Sequence, residues 1–158
     1  MKTDATAVLV TGVDVTEAAS VSAAAKQISD RQRGRGLQAT VNNAEGIVQG
    51  PPELVPESEL HRQFDVNLHG PVRVMRAFLP LLRLGSGRIV NVTAATARIA
   101  VLPFAAPVSA SKVALARLSN AARLELRQWG AVLARLPQGV RDRLLARTLG
   151  LSTSVAAR

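Results

Sequence analysis

Short apolar runs rich in β-branched residues alternate along this chain with longer stretches whose apolar positions recur at helical spacing. AVLVTG, Ala7 to Gly12, predicts a buried strand ending on a turn glycine. DVTEAASVSAAAKQISDRQ, from Asp14, predicts a helix with Thr16 as its N-cap and Glu17 well placed for the helix dipole. Arg33 to Gly36 break that helix, Leu37 to Val41 form a second strand, and NNAEG closes it with turn residues. After a loop over Gly50 to Pro56, a long helix is expected from Glu57 to Leu84, bent near Gly70-Pro71 and again at Pro80. Leu60, Phe64, Leu68, Val72, Met75 and Leu79 keep its helical spacing. Gly85 and Gly87 stop it, and Arg88 to Val92 form a third strand. A second long helix, Ser109 to Trp129, lines Leu115, Leu118, Ala122, Leu126 and Trp129 along one face, and Ala131 to Leu136 predict a fourth strand. From Gln138 onward the pattern is polar, rich in arginine and weakly helical.

Such alternation implies parallel strands joined by right-handed crossovers, an α/β architecture with helices on both faces. In sheets of this kind, ligands bind beyond the carboxyl ends of the strands. Gly12, Asn42, Asn43, the Asn91–Thr93 segment and the loop before Lys112 all fall at those ends.

Composition narrows the picture. A chain of 158 residues fits one domain with a modest core. With 47% hydrophobic but only 3% aromatic residues, that core is built from Ala, Val and Leu, which predicts limited stability. The absence of cysteine excludes disulfides and thiolate metal sites, and His61 and His69 have no carboxylate cluster at ligand spacing, so no metal site is expected. No apolar run is long enough to span a bilayer, and MKTDATAVLV is unlike a signal peptide, so a cytoplasmic protein without membrane contact is expected. The net charge of +9 comes mainly from arginine. Arg117, Arg123, Arg127, Arg135, Arg141, Arg143, Arg147 and Arg158 face only Glu125 and Asp142. With so few aromatic residues to stack on bases, a solvated basic face is the better reading than a nucleic-acid-binding module.

Several of these segments, in order, resemble the short-chain dehydrogenase/reductase family. VLVTG resembles its first strand, and DVTEAASV the segment whose aspartate, here Asp14, touches adenine. VNNAEG resembles the NNAG motif through Asn42, Asn43 and Ala44. FDVNLHGPVRVMRAFLPLL resembles the central helix with its asparagine, here Asn67. GRIVNVTA resembles the strand ending in the catalytic serine, PVSASKVAL the YxxxK motif with its lysine at Lys112, and LPQG the Pro-Gly turn beyond the sixth strand. The likeness runs from Ala7 to Gly139. It implies a Rossmann-like parallel sheet of about four strands, with NAD or NADP as cofactor and a small-molecule alcohol or ketone as substrate. The implied cofactor-binding positions are Gly12, Asp14, Asn42, Asn43, Ala44 and Lys112. In the family a tyrosine hydroxyl is the general acid or base, the lysine lowers its pKa and holds the nicotinamide ribose, the serine orients substrate, and the asparagine anchors a relay water.

The departures from that pattern carry as much weight. Only Val13 separates Gly12 from Asp14, so the rest of the glycine loop, a helix and a strand of the N-terminal βαβ unit are missing. Those glycines let backbone N–H groups and a helix N-terminus approach the pyrophosphate; here Thr16 and the next helix N-terminus are the only substitutes. Glu45 stands at the glycine of NNAG, Ala94 at the serine and Val108 at the tyrosine. Thr93 adjoins Ala94, but neighbouring strand residues point to opposite faces. Valine transfers no proton, and loss of a positioned general acid costs about 10²–10⁴ in rate. The family's substrate region is not recognisable after Gly139. The expected organisation is therefore a partial dehydrogenase domain over residues 1–139 and a basic tail, weakly helical or disordered, over 140–158.

Lys112, Asn67 and Thr93 are the remnant catalytic set, although Lys112 taken alone reads as a solvated helix-start lysine. Catalysis is expected to be impaired or lost. The alternatives are a non-catalytic dimer partner or scaffold, a gene remnant, or an oxidoreductase still working through those three residues. Self-association, or pairing with an intact paralogue, is expected because a sheet lacking a strand exposes an edge.

Overall fold

A computed structural model describes residues 12–93, 103–127 and, for the backbone alone, 132–137. Its element order is helix α1 (Ala18–Gln32), strand β1 (Ala39–Asn42), helix α2 (Glu57–Phe64), a single π-helical segment (Asp65–His69), helix α3 (Gly70–Leu84), strand β2 (Arg88–Thr93), helix α4 (Ala106–Leu126) and strand β3 (Val132–Pro137). The strands form one parallel sheet in the order β1-β2-β3, with Ala39 opposite Arg88 and Arg88 opposite Val132. Parallel strands with a helix in each connection are the α/β arrangement that the sequence pattern implies. Three strands lie among the described residues; the strand expected at Ala7–Gly12 falls outside them except for Gly12, as do Ala94, Trp129 and the tail over 140–158.

β2 carries the core. Ile89 packs with Leu82 of α3 and with Ala122 and Leu126 of α4, joined by Leu37, Met75, Phe78 and Leu79. Two helices meeting one side chain lie on one face of the sheet, and α1 packs alongside α3. By strand alternation Ala39 and Val41 point to the other face. There Val41 is 55% exposed. Of the helical cover expected on both faces, the described helices supply one.

Several local expectations shift by a turn, each for a stated reason. Thr16 is not the cap of α1: Glu17 is, with no side-chain bond to the helix, because the Thr16 hydroxyl and N–H both bond to Asp14 Oδ1, at 2.7 and 2.8 Å. α1 ends on Arg33 and Gly34, both at positive φ. The second strand begins at Ala39 rather than Leu37, since the Leu37 N–H is drawn to the Leu81 carbonyl (2.9 Å). That contact needs glycines: a Cβ on Gly87 would collide with the Leu37 carbonyl. Instead of a break at Gly70-Pro71, the irregularity is a π turn one turn earlier, where the Gly70 N–H reaches back five residues to the Asp65 carbonyl, and α3 then runs through Pro80 to Leu84. α4 begins at Ala106, because Pro107 suits the first turn of a helix, where its missing N–H is not needed.

A candidate active site, closed from within

The carboxyl ends of β1 and β2 open onto a buried polar network. Asn42, the last residue of β1, donates its amide to Asn91 Oδ1 (2.7 Å); Asn91 donates to Ser119 Oγ (2.8 Å); Ser119 donates to the Leu115 carbonyl within α4 (2.6 Å). A chain of amides and hydroxyls thus crosses from strand to strand to helix with each donor matched to an acceptor. A buried polar network is stable only when satisfied in this way.

Asn67 is the second node. It sits in the π-helical turn, where the extra residue per turn resets the direction of the side chains that follow. Only 1% exposed, it accepts the Gly46 N–H at Oδ1 (2.8 Å) and donates from Nδ2 to the Gly46 carbonyl (2.9 Å) and to Ser111 Oγ (3.0 Å). Both polar groups of one residue in the loop after β1 are therefore clamped by one side chain. Gln63, a turn before, takes the Val48 N–H at its carbonyl oxygen, so the same helix holds the loop at two points. Ser111 donates in turn to the Val108 carbonyl (2.9 Å).

Lys112 is the third node, and it is not a solvated lysine: the residue is 2% exposed. Its ammonium donates to the Val92 carbonyl (3.2 Å) and forms an ion pair with Glu45 Oε1 (3.2 Å), itself largely buried. Thr93, also buried, shares the peptide unit that begins at that carbonyl, and its position in the strand puts it on the face of Ile89 and Asn91. Val108, half-buried in the first turn of α4, stands one helical turn before Lys112 and offers no polar atom. The neighbouring Ser109 Oγ is buried without a hydrogen-bond partner.

The structure thus brings together Asn42, Asn67, Thr93, Val108 and Lys112 of the expected set, and adds Glu45, Asn91, Ser111 and Ser119. The last three had a sequence signal: Asn91 interrupts the apolar run IVNVT, and Ser111 and Ser119 stand two turns apart on a helix face that also carries Leu115 and Leu126. The remaining expected positions stand apart from this cluster. Asn43 and Ala44 line a groove of about 520 Å³ with Val13, Ile28, Val41 and Phe78 beside β1. Asp14 is spent on Thr16, whose hydroxyl, and after it the backbone N–H, hold the Asp14 carboxyl below its usual range. Gly12 is exposed, and a Cβ there would meet no atom within 4 Å, so its local packing does not require glycine.

Two of the described positions oppose the contacts a nicotinamide dinucleotide would need. A phosphate at the N-terminus of α1 would meet Asp14 and the Glu17 cap, and the lysine that would hold a ribose already holds a carboxylate. Among the described residues no cluster of histidine, aspartate or glutamate could hold a metal, and no helix is long and apolar enough to cross a membrane. Arg117, Arg123 and Arg127 stand exposed on and just after α4; the arginines from Arg141 onward lie outside the described residues.

Comparison with known proteins agrees with the fold. The sequence profile described as short chain dehydrogenase matches residues 1–141. Estradiol 17-beta-dehydrogenase 2 of Mus musculus is 36% identical over 129 residues, a match that covers 80% of this chain and 33% of the relative. A short-chain dehydrogenase from Streptomyces avermitilis superposes with a TM-score of 0.73 at 29% identity, over 80% of this chain and 46% of the other. An alcohol dehydrogenase from the archaeon Thermococcus sibiricus, solved with 5-hydroxy-NADP, superposes with a TM-score of 0.73 at 25% identity, over 79% and 51%. The chain spans about a third of the length of that curated relative and about half of those solved chains. With a parallel sheet, a buried asparagine–lysine framework at its carboxyl edge and a profile match over most of its length, this chain belongs to the short chain dehydrogenase family.

Proposed function

We propose that this chain is a catalytically silent member of its family. It keeps the helix layer and the Asn67–Lys112 framework but does not interconvert alcohol and ketone with NAD or NADP. The observation that carries this reading is Val108 one turn before Lys112: the position from which a side chain would pass a proton to substrate holds an aliphatic group, and Glu45 occupies the ammonium. A positioned acid or base contributes about 10²–10⁴ to rate. The remaining polar atoms of Asn67 and Asn91 are engaged in holding backbone and helix, which supports a structural role for them.

The reading leaves the chain a part as a binding partner, to a second copy of itself or to an intact relative. α4 presents Val113 and Leu124 to solvent, the latter 68% exposed, on a helix whose inner face is already committed to the sheet. Apolar side chains in that position support association through α4.

The test is turnover of estradiol, the alcohol named in the mouse relative, with NAD or NADP, followed by nucleotide absorbance. The purified chain is expected to give the rate of the buffer control. Turnover that Lys112→Met abolishes would overturn the reading and restore an oxidoreductase working through Lys112, Asn67 and Thr93.

A further inference from the structure

We propose that Lys112 is the cation of a buried anion site that Glu45 fills from within, and that Asn67 is the positioning residue that delivers Glu45 to it. An ammonium this far from water needs a compensating charge, since an unpaired buried ion is among the most expensive groups a fold can carry. The Val92 carbonyl supplies a dipole at 3.2 Å; the charge comes from Glu45, also at 3.2 Å. No polar atom comes from the Val108 side chain one turn away, so the carboxylate supplies what the local helix does not.

Glu45 reaches Lys112 because its loop is fixed. It directly precedes Gly46, whose N–H and carbonyl are both held by Asn67, and two residues further on the Val48 N–H is held by Gln63. Removing the Asn67 amide would release the loop and let the carboxylate withdraw toward solvent, leaving the ammonium uncompensated. Removing the Glu45 carboxylate would leave the same cation facing a space the size of a small carboxylate. The ligand class of the emptied site is therefore a monovalent carboxylate such as formate.

Sodium formate is the probe, read by the thermal midpoint of the full chain against equal concentrations of sodium chloride. Glu45→Gly is expected to melt below the natural chain. Formate at ten times its dissociation constant should then raise that midpoint by about 4 °C, while leaving the natural chain and the Glu45→Gly/Lys112→Met variant at their chloride values. Asn67→Ala should also respond to formate, whereas Ile89→Ala, destabilised through the apolar core, should not. That contrast separates a positioning role from a merely structural one.

Equal formate responses in the natural chain and Glu45→Gly, or no response in Glu45→Gly, would overturn the site. An unresponsive Asn67→Ala beside a responsive Glu45→Gly would overturn the role of Asn67. Should Glu45→Gly not fold in chloride, recovery of helical circular dichroism in formate supports the proposal, and failure to recover counts against it. The result is independent of the proposed function: estradiol turnover would end catalytic silence without altering the formate response.

Discussion

The two sides of β2 and β1 are held very differently. Around β2 and α4, the asparagine and lysine side chains at the carboxyl edge have partners: Asn42 with Asn91, Asn91 with Ser119, Asn67 with Gly46 and Ser111, Lys112 with Glu45 and the Val92 carbonyl; the buried Ser109 Oγ is an exception among its neighbours. Along β1, on the side away from β2, lies an apolar groove between that strand and residues of α1 and α3, and Val41 on its rim is 55% exposed among the described residues. The closed side is where the family pattern is continuous in sequence. The open side is where Gly12 runs almost directly into Asp14, and a helix and strand of the pattern are absent. Sequence missing before β1 is therefore compatible with a hydrogen-bonded framework at the carboxyl ends of β1 and β2, because the partners of that framework come from the helices that follow these two strands.

The largest expected contrast is between Ile89 and Val41. Ile89→Ala empties a site packed by both α3 and α4, and should cost about 2–5 kcal/mol in a denaturant melt. Val41→Lys, at a position 55% exposed, should stay within about 0.5 kcal/mol. Equal losses at the two positions would show that the groove side is covered as firmly as the other. Asn67→Ala comes next. It strands the Gly46 N–H and carbonyl, and an unmade buried bond costs about 1–3 kcal/mol for each group, so a loss of about 3 kcal/mol is expected. A loss no larger than that of Val41→Lys would mean the loop finds other partners.

Much of this division was legible in the sequence, and the parts that were not share a cause. Helices and strands followed from apolar spacing because burial of one face dictates that spacing. Asn67 and Lys112 stood out through their motifs. Their bonds did not: Glu45 and Lys112 are distant in sequence and become neighbours only once β1 and β2 are paired, so Glu45 read as an intruder at a glycine position rather than as a counter-ion. The π-turn at Asp65–His69 has no local signature, whereas Gly70-Pro71, residues that disturb helices, stand out in the sequence just after it. Thr16 read as a cap because it precedes an acidic residue and an alanine-rich run, but Asp14, two residues before it, competes for its hydroxyl and wins.

The smallest effect belongs to that turn. The carboxyl of Asp14 is held below its ordinary value of 3.8 by the Thr16 hydroxyl and N–H. The unfolded chain therefore takes up the proton first as pH falls. The contribution of the turn is complete above the unfolded value and is lost as pH drops below it toward the lowered, folded value. The midpoint difference between the natural chain and Asp14→Asn should shrink as pH falls through that window. A difference that is flat from neutral pH to the acid limit would remove Asp14 from the account of the α1 start.

The central claim, that the ammonium of Lys112 is already satisfied by Glu45 and the chain does not hold a nicotinamide dinucleotide, is tested most directly by the thermal midpoint of the purified chain with and without excess NADH or NADPH. A ligand that binds only the folded state stabilises it by about 2.7 kcal/mol at a hundred times its dissociation constant. A cooperative melt whose midpoint is the same with and without either nucleotide is the predicted result. An upward shift with NADH or NADPH would contradict the claim.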